Sequence, residues 1–183
     1  EVLDHMALDG LQNAADRKAM GELAELCASK YTFTREEQDA FSAESVRRAL
    51  AAQAGGDFAD EIVPVTVAGR KGEVQISADE EPPACDIGKI GSLRPAFKKD
   101  GTVTAATSSK ISDGAAALVL TSADTAAAQG LKPLARVVAH ATHSQEPEWF
   151  TTAPVQAIEK VLKKAGWSQD EVDLYEVNEA FAV

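Results

Sequence analysis

The sequence predicts an α/β fold, and three observations carry this prediction. The chain has 183 residues, of which 45% are hydrophobic and 26% charged, the composition of an ordinary globular protein. Apolar residues recur at helical spacing in some segments and form short β-branched runs in others. These two kinds of segment alternate along the chain, which is typical of helices layered against a sheet.

The first third of the chain predicts two helices. Apolar residues recur at helical spacing from Met20, so we expect Cys27 on a buried face. Thr34, with Glu37 three residues later, is a capping-box pattern and places the start of a second helix at about Arg35. Gly55-Gly56 is expected to end that helix. The apolar stripe of the second helix consists of Val46, Ala49, Leu50 and Ala54.

A change of period follows the second helix. Residues 62–67 are β-branched and predict a strand, and residues 73–76 predict its hairpin partner. Residues 79–92 carry acids, prolines and glycines, and we expect them to form a long surface loop. Two helices, a hairpin and this lid-like loop therefore make up residues 1–97.

The remainder of the chain predicts alternating strands and helices. Continuous apolar runs at 115–120 and 134–141 are typical of strands covered on both faces. Ser122 is expected to cap a short helix that ends before Gly130. Residues 153–165 are the clearest amphipathic helix and are followed by Gly166 as a stop signal. Residues 172–177 alternate like a further strand.

Two segments are candidates for chemistry. Small and hydroxyl residues at 105–117 could let a backbone approach a ligand closely, or could simply form a tight entry into a strand; the residues alone favour the second interpretation. Asn178 follows a predicted strand, where a carboxamide can orient a water or donate to an oxyanion. An Asn there can equally cap a following helix, and this is the commoner use.

Composition excludes several other functions. The net charge of −11 argues against a nucleic-acid surface, and no apolar run reaches the ~20 residues that a membrane span needs. Cys27 and Cys85 form no CxxC pair, so we expect a reducing, cytoplasmic setting. No pattern of metal ligands is present, and we predict no metal site.

Four ordered motifs then indicate a family. Residues 93–97 (LRPAF), 101–105 (GTVTA), 109–117 and 178–182 (NEAFA) resemble the thiolases, nearest to the acetyl-CoA acetyltransferase type. The resemblance implies a partial thiolase-like layered αβαβα fold with an inserted loop, or lid, domain. It assigns residues 1–97 to the loop domain, 98–130 to the end of the N-terminal thiolase half and 131–183 to the start of the C-terminal half.

The resemblance also implies an activity. Thiolases condense two acetyl-CoA to acetoacetyl-CoA, or cleave 3-ketoacyl-CoA with CoA, through a cysteine acyl-enzyme. Coenzyme A is then a substrate, and no permanently bound cofactor is expected; acyl-CoA substrates are the expected partners, and a homodimer or homotetramer the expected assembly. The family's nucleophilic cysteine is placed before Glu1, and its GHP histidine and second cysteine after Val183.

Site roles follow from the same resemblance. Asn178 would hold the water that donates to the thioester oxygen, and Ser109 would hydrogen-bond the pantetheine amide. We expect the Ser109 stretch and the Asn178 turn to converge. Ala180 would pack beside the acyl thioester. The apolar walls for the pantetheine arm would be Leu11, Met20, Phe97, Ala105 and Phe181. Candidate phosphate neighbours are Arg17, Lys18, Lys71 and Lys110.

Two departures from the family pattern concern detail, and two alternative functions stay open. Ala19 stands where many biosynthetic thiolases have His, and Lys110 stands where Gly commonly follows the pantetheine serine. The first alternative is a non-catalytic thiolase-like protein that binds acyl-CoA or lipid. The second is a ketoacyl synthase, which the motif disfavours because those enzymes place a histidine where Asn178 stands.

Overall fold

A computed structural model describes residues 2–70 and 72–183. The chain divides into two compact units. The first contains the described residues up to Lys110 together with Asn178–Val183, and the second contains Ile111–Val177. The α-helices and strands, in chain order, are α1 (Met20–Tyr31), α2 (Arg35–Gly55), β1 (Val65–Gly69), β2 (Gly72–Ile76), α3 (Glu81–Ala84), α4 (Ala123–Ala128) and α5 (Ala153–Ala165).

The two N-terminal helices form as the sequence predicts. The Thr34 side chain accepts a hydrogen bond from the Glu37 amide, and the Glu37 carboxylate accepts one from the Thr34 amide at 2.8 Å, which completes the capping box of α2. Gly56 ends α2 in the left-handed conformation, with φ of 77°. On α1, Cys27 is buried among the core residues, as its helical spacing predicts.

The predicted hairpin is present, with its first strand beginning three residues later than predicted and its second strand one residue earlier. Strands β1 and β2 pair antiparallel, with Val65 opposite Ile76 and Val67 opposite Val74. Pro64 lies just outside β1, where its missing N–H removes no ladder bond. Both strands are largely exposed, so the hairpin projects from the unit rather than forming its core.

The prediction of a structureless loop over residues 79–92 is wrong. This segment contains α3 and a 3-10 helix at Ile87–Ser92. Two prolines lie in the first turn of α3, where the fixed φ of proline suits a helix start. The Asp86 side chain accepts from the Gly88 amide at 3.1 Å and caps the 3-10 helix. Proline and aspartate, which normally indicate loops, here start two short helices.

The core of the first unit lies between α1 and the segment that follows the 3-10 helix. Leu23 and Ala24 on α1 are fully buried, and so are Val103 and Thr104. The Ala96 amide donates to the Val103 carbonyl at 2.9 Å, and Pro95 pairs with Thr104 in an antiparallel bridge. Residues 95–104 therefore form a tight hairpin-like turn against α1. We call residues 95–104 the Phe97 turn.

The second unit confirms the predicted helices but not the predicted strands. The Ser122 side chain caps α4 by accepting from the Thr125 amide, and Gly166 ends α5 with φ of 74°. Residues 115–120, 134–141 and 172–177 form no strand, and Val119 is 94% exposed. A strand is stabilised by hydrogen bonds to a neighbour, and no such neighbour pairs with these runs among the described residues.

None of the helices in the described ranges combines the length and apolar content that crossing a bilayer requires.

Candidate functional site

Two segments that are far apart in sequence meet in the first unit. The Ser109 amide donates to the Ala180 carbonyl at 2.9 Å, and the Ala182 amide donates to the Thr107 carbonyl at 3.0 Å. Ser108 and Phe181 form an isolated antiparallel bridge between these bonds. The Ser109 stretch and the turn that begins at Asn178 thus lie side by side, as the sequence predicts.

An aromatic pair extends this pairing toward α1. The rings of Phe97 and Phe181 meet edge to face, with centroids 6.1 Å apart and an interplanar angle of 79°. The Phe97 ring also packs onto the backbone at the start of α1, because a Cβ added to Gly21 would lie 2.2 Å from a ring carbon. Only glycine at position 21 therefore leaves room for the ring in this position.

The remaining apolar candidates lie near the start of α1. Leu11 ends a π-helix at Ala7–Leu11, and the next residue, Gln12, forms an antiparallel bridge with Ala19. Leu11 precedes one partner of this bridge, and Met20 follows the other. Met20 precedes Gly21 in the first turn of α1, and this is the end of the helix that contacts Phe97.

The polar candidates are exposed and available to a ligand. Asn178 and Ser109 are both solvent-exposed, and their side chains make no hydrogen bond to another part of the described chain. The Asn178 carbonyl accepts from the Ala180 amide at 3.0 Å, which fixes a tight turn at this point. Ala105 is exposed and Ala180 half-buried, and neither carries a side chain long enough to fill the space beside it.

An open cavity of about 260 Å³ lies between this pairing and α2. Ser109 and Phe181 line it on one side, and residues of α2 and α3 line it on the other. Asn178 is not among its lining residues. Its walls are Phe41, Ser42, Ser45, Val46, Ala49, Glu81, Pro82, Cys85, Ala106, Thr107, Ser108, Ser109, Lys110, Glu179, Phe181 and Ala182.

The helical contribution to this cavity was missed by the sequence analysis. Val46 and Ala49 belong to the predicted apolar stripe of α2, which the sequence analysis did not assign to a site. Both are half-buried and face the cavity. The signal that could have found them is the hydroxyl of Ser45, which lies one turn before Ala49 beside this stripe, since a core face carries few polar groups.

One hydrogen bond ties α2 to the Asn178 turn. The Ser45 hydroxyl donates to the Glu179 carboxylate with an oxygen–oxygen distance of 2.5 Å. Such a short distance is typical of a hydroxyl bonded to an ionised carboxylate. This bond fixes the residue next to Asn178 against a helix.

The candidate phosphate neighbours differ in their surroundings. Lys110 lines the cavity and is exposed. Lys18 pairs with Asp16 at 2.8 Å, and the hydrogen bond from Lys18 holds the pKa of the Asp16 carboxyl below its ordinary value. Arg17 occupies the left-handed region with φ of 62°. Lys71 lies outside the described residues.

Family profiles match almost the whole chain. The profile of the thiolase N-terminal domain matches residues 1–124, and the profile of the thiolase C-terminal domain matches residues 131–183. The chain belongs to the thiolase family. The predicted family is thereby confirmed.

Curated relatives of this thiolase chain include several enzymes named acetyl-CoA acetyltransferase. The one from Chromobacterium violaceum is 51% identical over 100% of this chain and 47% of its own length. A probable acetyl-CoA acetyltransferase from Dictyostelium discoideum is 49% identical over 99% of this chain and 44% of its own length. The chain thus spans less than half the length of the relatives it matches.

Solved thiolase structures confirm the predicted fold class. The crystal structure of the acetyl-CoA acetyltransferase from Bacillus anthracis matches 100% of this chain and 48% of its own, with a TM-score of 0.92 and 41% identity. The Acat5 thiolase from Ascaris suum, solved in complex with coenzyme A, matches 100% of this chain and 47% of its own, with a TM-score of 0.93 and 40% identity.

Proposed function

We propose that this thiolase is an acyltransferase that condenses two acetyl-CoA to acetoacetyl-CoA, or cleaves 3-ketoacyl-CoA with CoA, through a cysteine acyl-enzyme. The observation that carries the proposal is the pairing of the Ser109 stretch with the Asn178 turn beside the Phe97–Phe181 wall. The names of the curated relatives and the coenzyme A complex of the Ascaris suum thiolase support the same substrate class.

The arrangement of polar and apolar groups suits a pantetheine arm. This arm is a narrow chain whose amides need hydrogen bonds and whose methylenes need an apolar wall. Ser109 offers an exposed hydroxyl for one amide, and Phe97 and Phe181 offer the wall next to it. In this proposal Met20 and Leu11 would extend that wall, and the short side chains of Ala105 and Ala180 would leave room for the thioester end.

Asn178 is the proposed electrostatic contributor to the reaction. When a cysteine thiolate attacks the thioester carbonyl, negative charge develops on the carbonyl oxygen and the CoA thiolate then leaves. The unpartnered amide of Asn178 would hold a water whose O–H donates to that oxygen. Donors fixed in place before the charge develops stabilise the transition state without reorganisation.

Neither cysteine of the chain is assigned to the nucleophilic step. Cys27 is 3% exposed in the core of the first unit, so a substrate carbonyl has no access to it. Cys85 follows α3 and lines the cavity near Pro82. The family resemblance places the nucleophile in neither residue.

The direct test is CoA-dependent cleavage of acetoacetyl-CoA by the full natural protein. We expect loss of the acetoacetyl thioester absorbance only when CoA is added, and loss of this activity after treatment with a thiol alkylator. Binding of acyl-CoA without any turnover would refute the acyltransferase proposal and favour the non-catalytic binding protein.

Two substitutions separate the proposed roles. Asn178→Ala should lower turnover by roughly 10²–10³-fold, the range for losing one oxyanion donor. Ser109→Ala should raise the Michaelis constant for CoA substrates more than it lowers turnover. Ser144→Ala, which changes an exposed serine in the second unit, is the matched control and should leave both constants unchanged. Unchanged turnover in Asn178→Ala would refute its role.

We further propose that the protein is cytoplasmic and forms a homodimer or homotetramer. Coenzyme A is proposed as a substrate and not as a permanently bound cofactor, and acyl-CoA thioesters are proposed as the partners, with no nucleic-acid or membrane partner. The net charge of −11 supports the exclusion of nucleic acid. Light scattering coupled to gel filtration tests the assembly, and fractionation of cells tests the location.

A further inference from the structure

A carboxylate on α1 holds the Phe97 turn through main-chain hydrogen bonds. Glu25 accepts from the Thr102 amide at 2.8 and 3.0 Å and from the Val103 amide at 2.8 Å. The Thr102 hydroxyl adds a third donor at 3.2 Å. Glu25 itself is only 8% exposed, so the turn covers the carboxylate.

Hydrogen-bond donors surround the side-chain oxygens of Glu25. No lysine, arginine or histidine in residues 2–70 and 72–183 forms an ion pair with it. Hydrogen bonds from amides and a hydroxyl therefore satisfy its oxygens, and buried oxygens without such bonds would be costly. A Cβ added to Gly101 would lie 2.1 Å from a Glu25 oxygen, so the backbone approaches the carboxylate as closely as glycine permits.

A second buried side chain supports the same contact. Gln38 of α2 is 1% exposed and donates to the Thr102 hydroxyl at 2.9 Å. Because that hydroxyl also donates to Glu25, it links both helices to the Phe97 turn. The turn is thus anchored by side chains at its Thr102–Val103 end.

The anchored residues lie between two parts of the proposed site. In one direction, Val103 and Thr104 pair with Ala96 and Pro95, which fixes Phe97 at the head of the turn. In the other direction, the Thr107 hydroxyl accepts from the Thr104 amide at 2.8 Å, which fixes the path that leads to Ser109.

We propose that Glu25 is a positioning residue that sets the pantetheine-binding wall, because it fixes Phe97 and the approach to Ser109 through one buried contact. This inference rests on the proposed function, since it assigns a purpose to the wall that the function uses. Glu25 contacts no substrate in this arrangement and acts through the Thr102 and Val103 amides. Loss of its acceptor oxygens should therefore weaken binding of the pantetheine arm, while binding of the nucleotide end of coenzyme A should stay unchanged.

The test compares Glu25→Gln and Glu25→Ala with the wild type in the full natural protein. Calorimetry measures the Kd of coenzyme A and the Kd of an adenosine bisphosphate that lacks the pantetheine arm. Glu25→Gln can keep the oxygen that accepts from both amides, but it places an NH₂ group against the Thr102 amide and hydroxyl, where the second oxygen accepted. We expect it to weaken coenzyme A binding by about tenfold, the size of one lost hydrogen bond to a charged group. Binding of the adenosine bisphosphate should stay unchanged.

The control and the contrary outcomes are distinct. Glu36→Ala removes an exposed carboxylate of α2 without a hydrogen-bond partner in the described residues, and should change neither Kd. If Glu25→Ala does not fold, the two Kd values are compared in Glu25→Gln and in Thr102→Val. The second variant removes the Thr102 hydroxyl and keeps the main-chain amides. Equal weakening of both ligands, or no weakening of coenzyme A, overturns the inference. A wild type that binds coenzyme A without turnover refutes the proposed function and leaves this binding comparison intact.

Discussion

Gly21 offers the sharpest test of the aromatic wall, since the substitution Gly21→Ala adds one methyl group where the structure has no room. The new Cβ would lie 2.2–2.3 Å from three carbons of the Phe97 ring. Carbon atoms in favourable contact lie about 3.5–4.0 Å apart, so the ring must move by more than 1 Å.

The magnitude follows from how far Phe97 can yield. Overpacking a close contact costs about 1–3 kcal/mol. Phe97 is 36% exposed, so the ring can swing outward, and we expect a loss of unfolding free energy near 1 kcal/mol, the lower end of that range. The swing breaks the edge-to-face contact with Phe181, and this should raise the Michaelis constant for CoA substrates while turnover changes less.

The assay pairs chemical denaturation with steady-state kinetics on the full natural protein. Gly10→Ala is the matched control, because a Cβ at Gly10 meets nothing within 4 Å. Phe97→Leu combined with Gly21→Ala should recover part of the lost stability, since the smaller side chain relieves the clash. A Gly21→Ala protein with wild-type stability and an unchanged Michaelis constant would show that the ring does not rest on this glycine.

Three further predictions concern single contacts. Ser45→Ala and Glu179→Ala should each lower turnover, because each removes the same 2.5 Å hydrogen bond. The double variant should therefore lose no more turnover than the more impaired single variant. Additive losses would contradict this. The Thr34 amide, and secondarily its hydroxyl, lower the pKa of Glu37, so the stability that this contact adds is present at neutral pH and is lost as the pH falls through that lowered pKa. A carbon-13 NMR titration should find a higher pKa for Glu37 in Thr34→Ala, and an equal pKa would exclude a contribution from the hydroxyl. Gly166→Ala should destabilise the protein by about 1 kcal/mol, because φ of 74° is strained for alanine; a denaturation midpoint equal to that of the wild type would refute this.

Local signals in the sequence were sufficient for α1, α2, α4 and α5, but not for α3. The capping box of Thr34 and Glu37 and the stop at Gly166 act within a few residues, so a short window contains the interactions that define them. The apolar run at 115–120 shows the limit of this reasoning. Its composition is that of a buried strand, but pairing depends on a distant neighbour, and none pairs with it among the described residues.

In the candidate site, too, some features were predicted from the sequence and others were missed. The family resemblance predicted that the Ser109 stretch and the Asn178 turn would be neighbours, and the hydrogen bond from Ser109 to Ala180 joins them. The roles of these residues stay predictions. The contact of Glu25 with Thr102 joins positions 77 residues apart, and a glutamate on a helix carries no local mark of such a contact. The cavity face of α2 was missed although Ser45 does mark it locally, as a polar residue beside the predicted apolar stripe.

The bridge between Ser108 and Phe181 has a consequence for the order in which the protein assembles. All of Ile111–Val177 belongs to the other unit, so the chain departs after Lys110 and returns at Asn178 to the place it left. During synthesis, α1 and the Phe97 turn can pack together while the ribosome is still producing the intervening stretch. The ring of Phe181 can join them only when that stretch has been completed. Phe97, on one side of the wall, is therefore synthesised before the intervening stretch, and Phe181, on the other side, is synthesised after it.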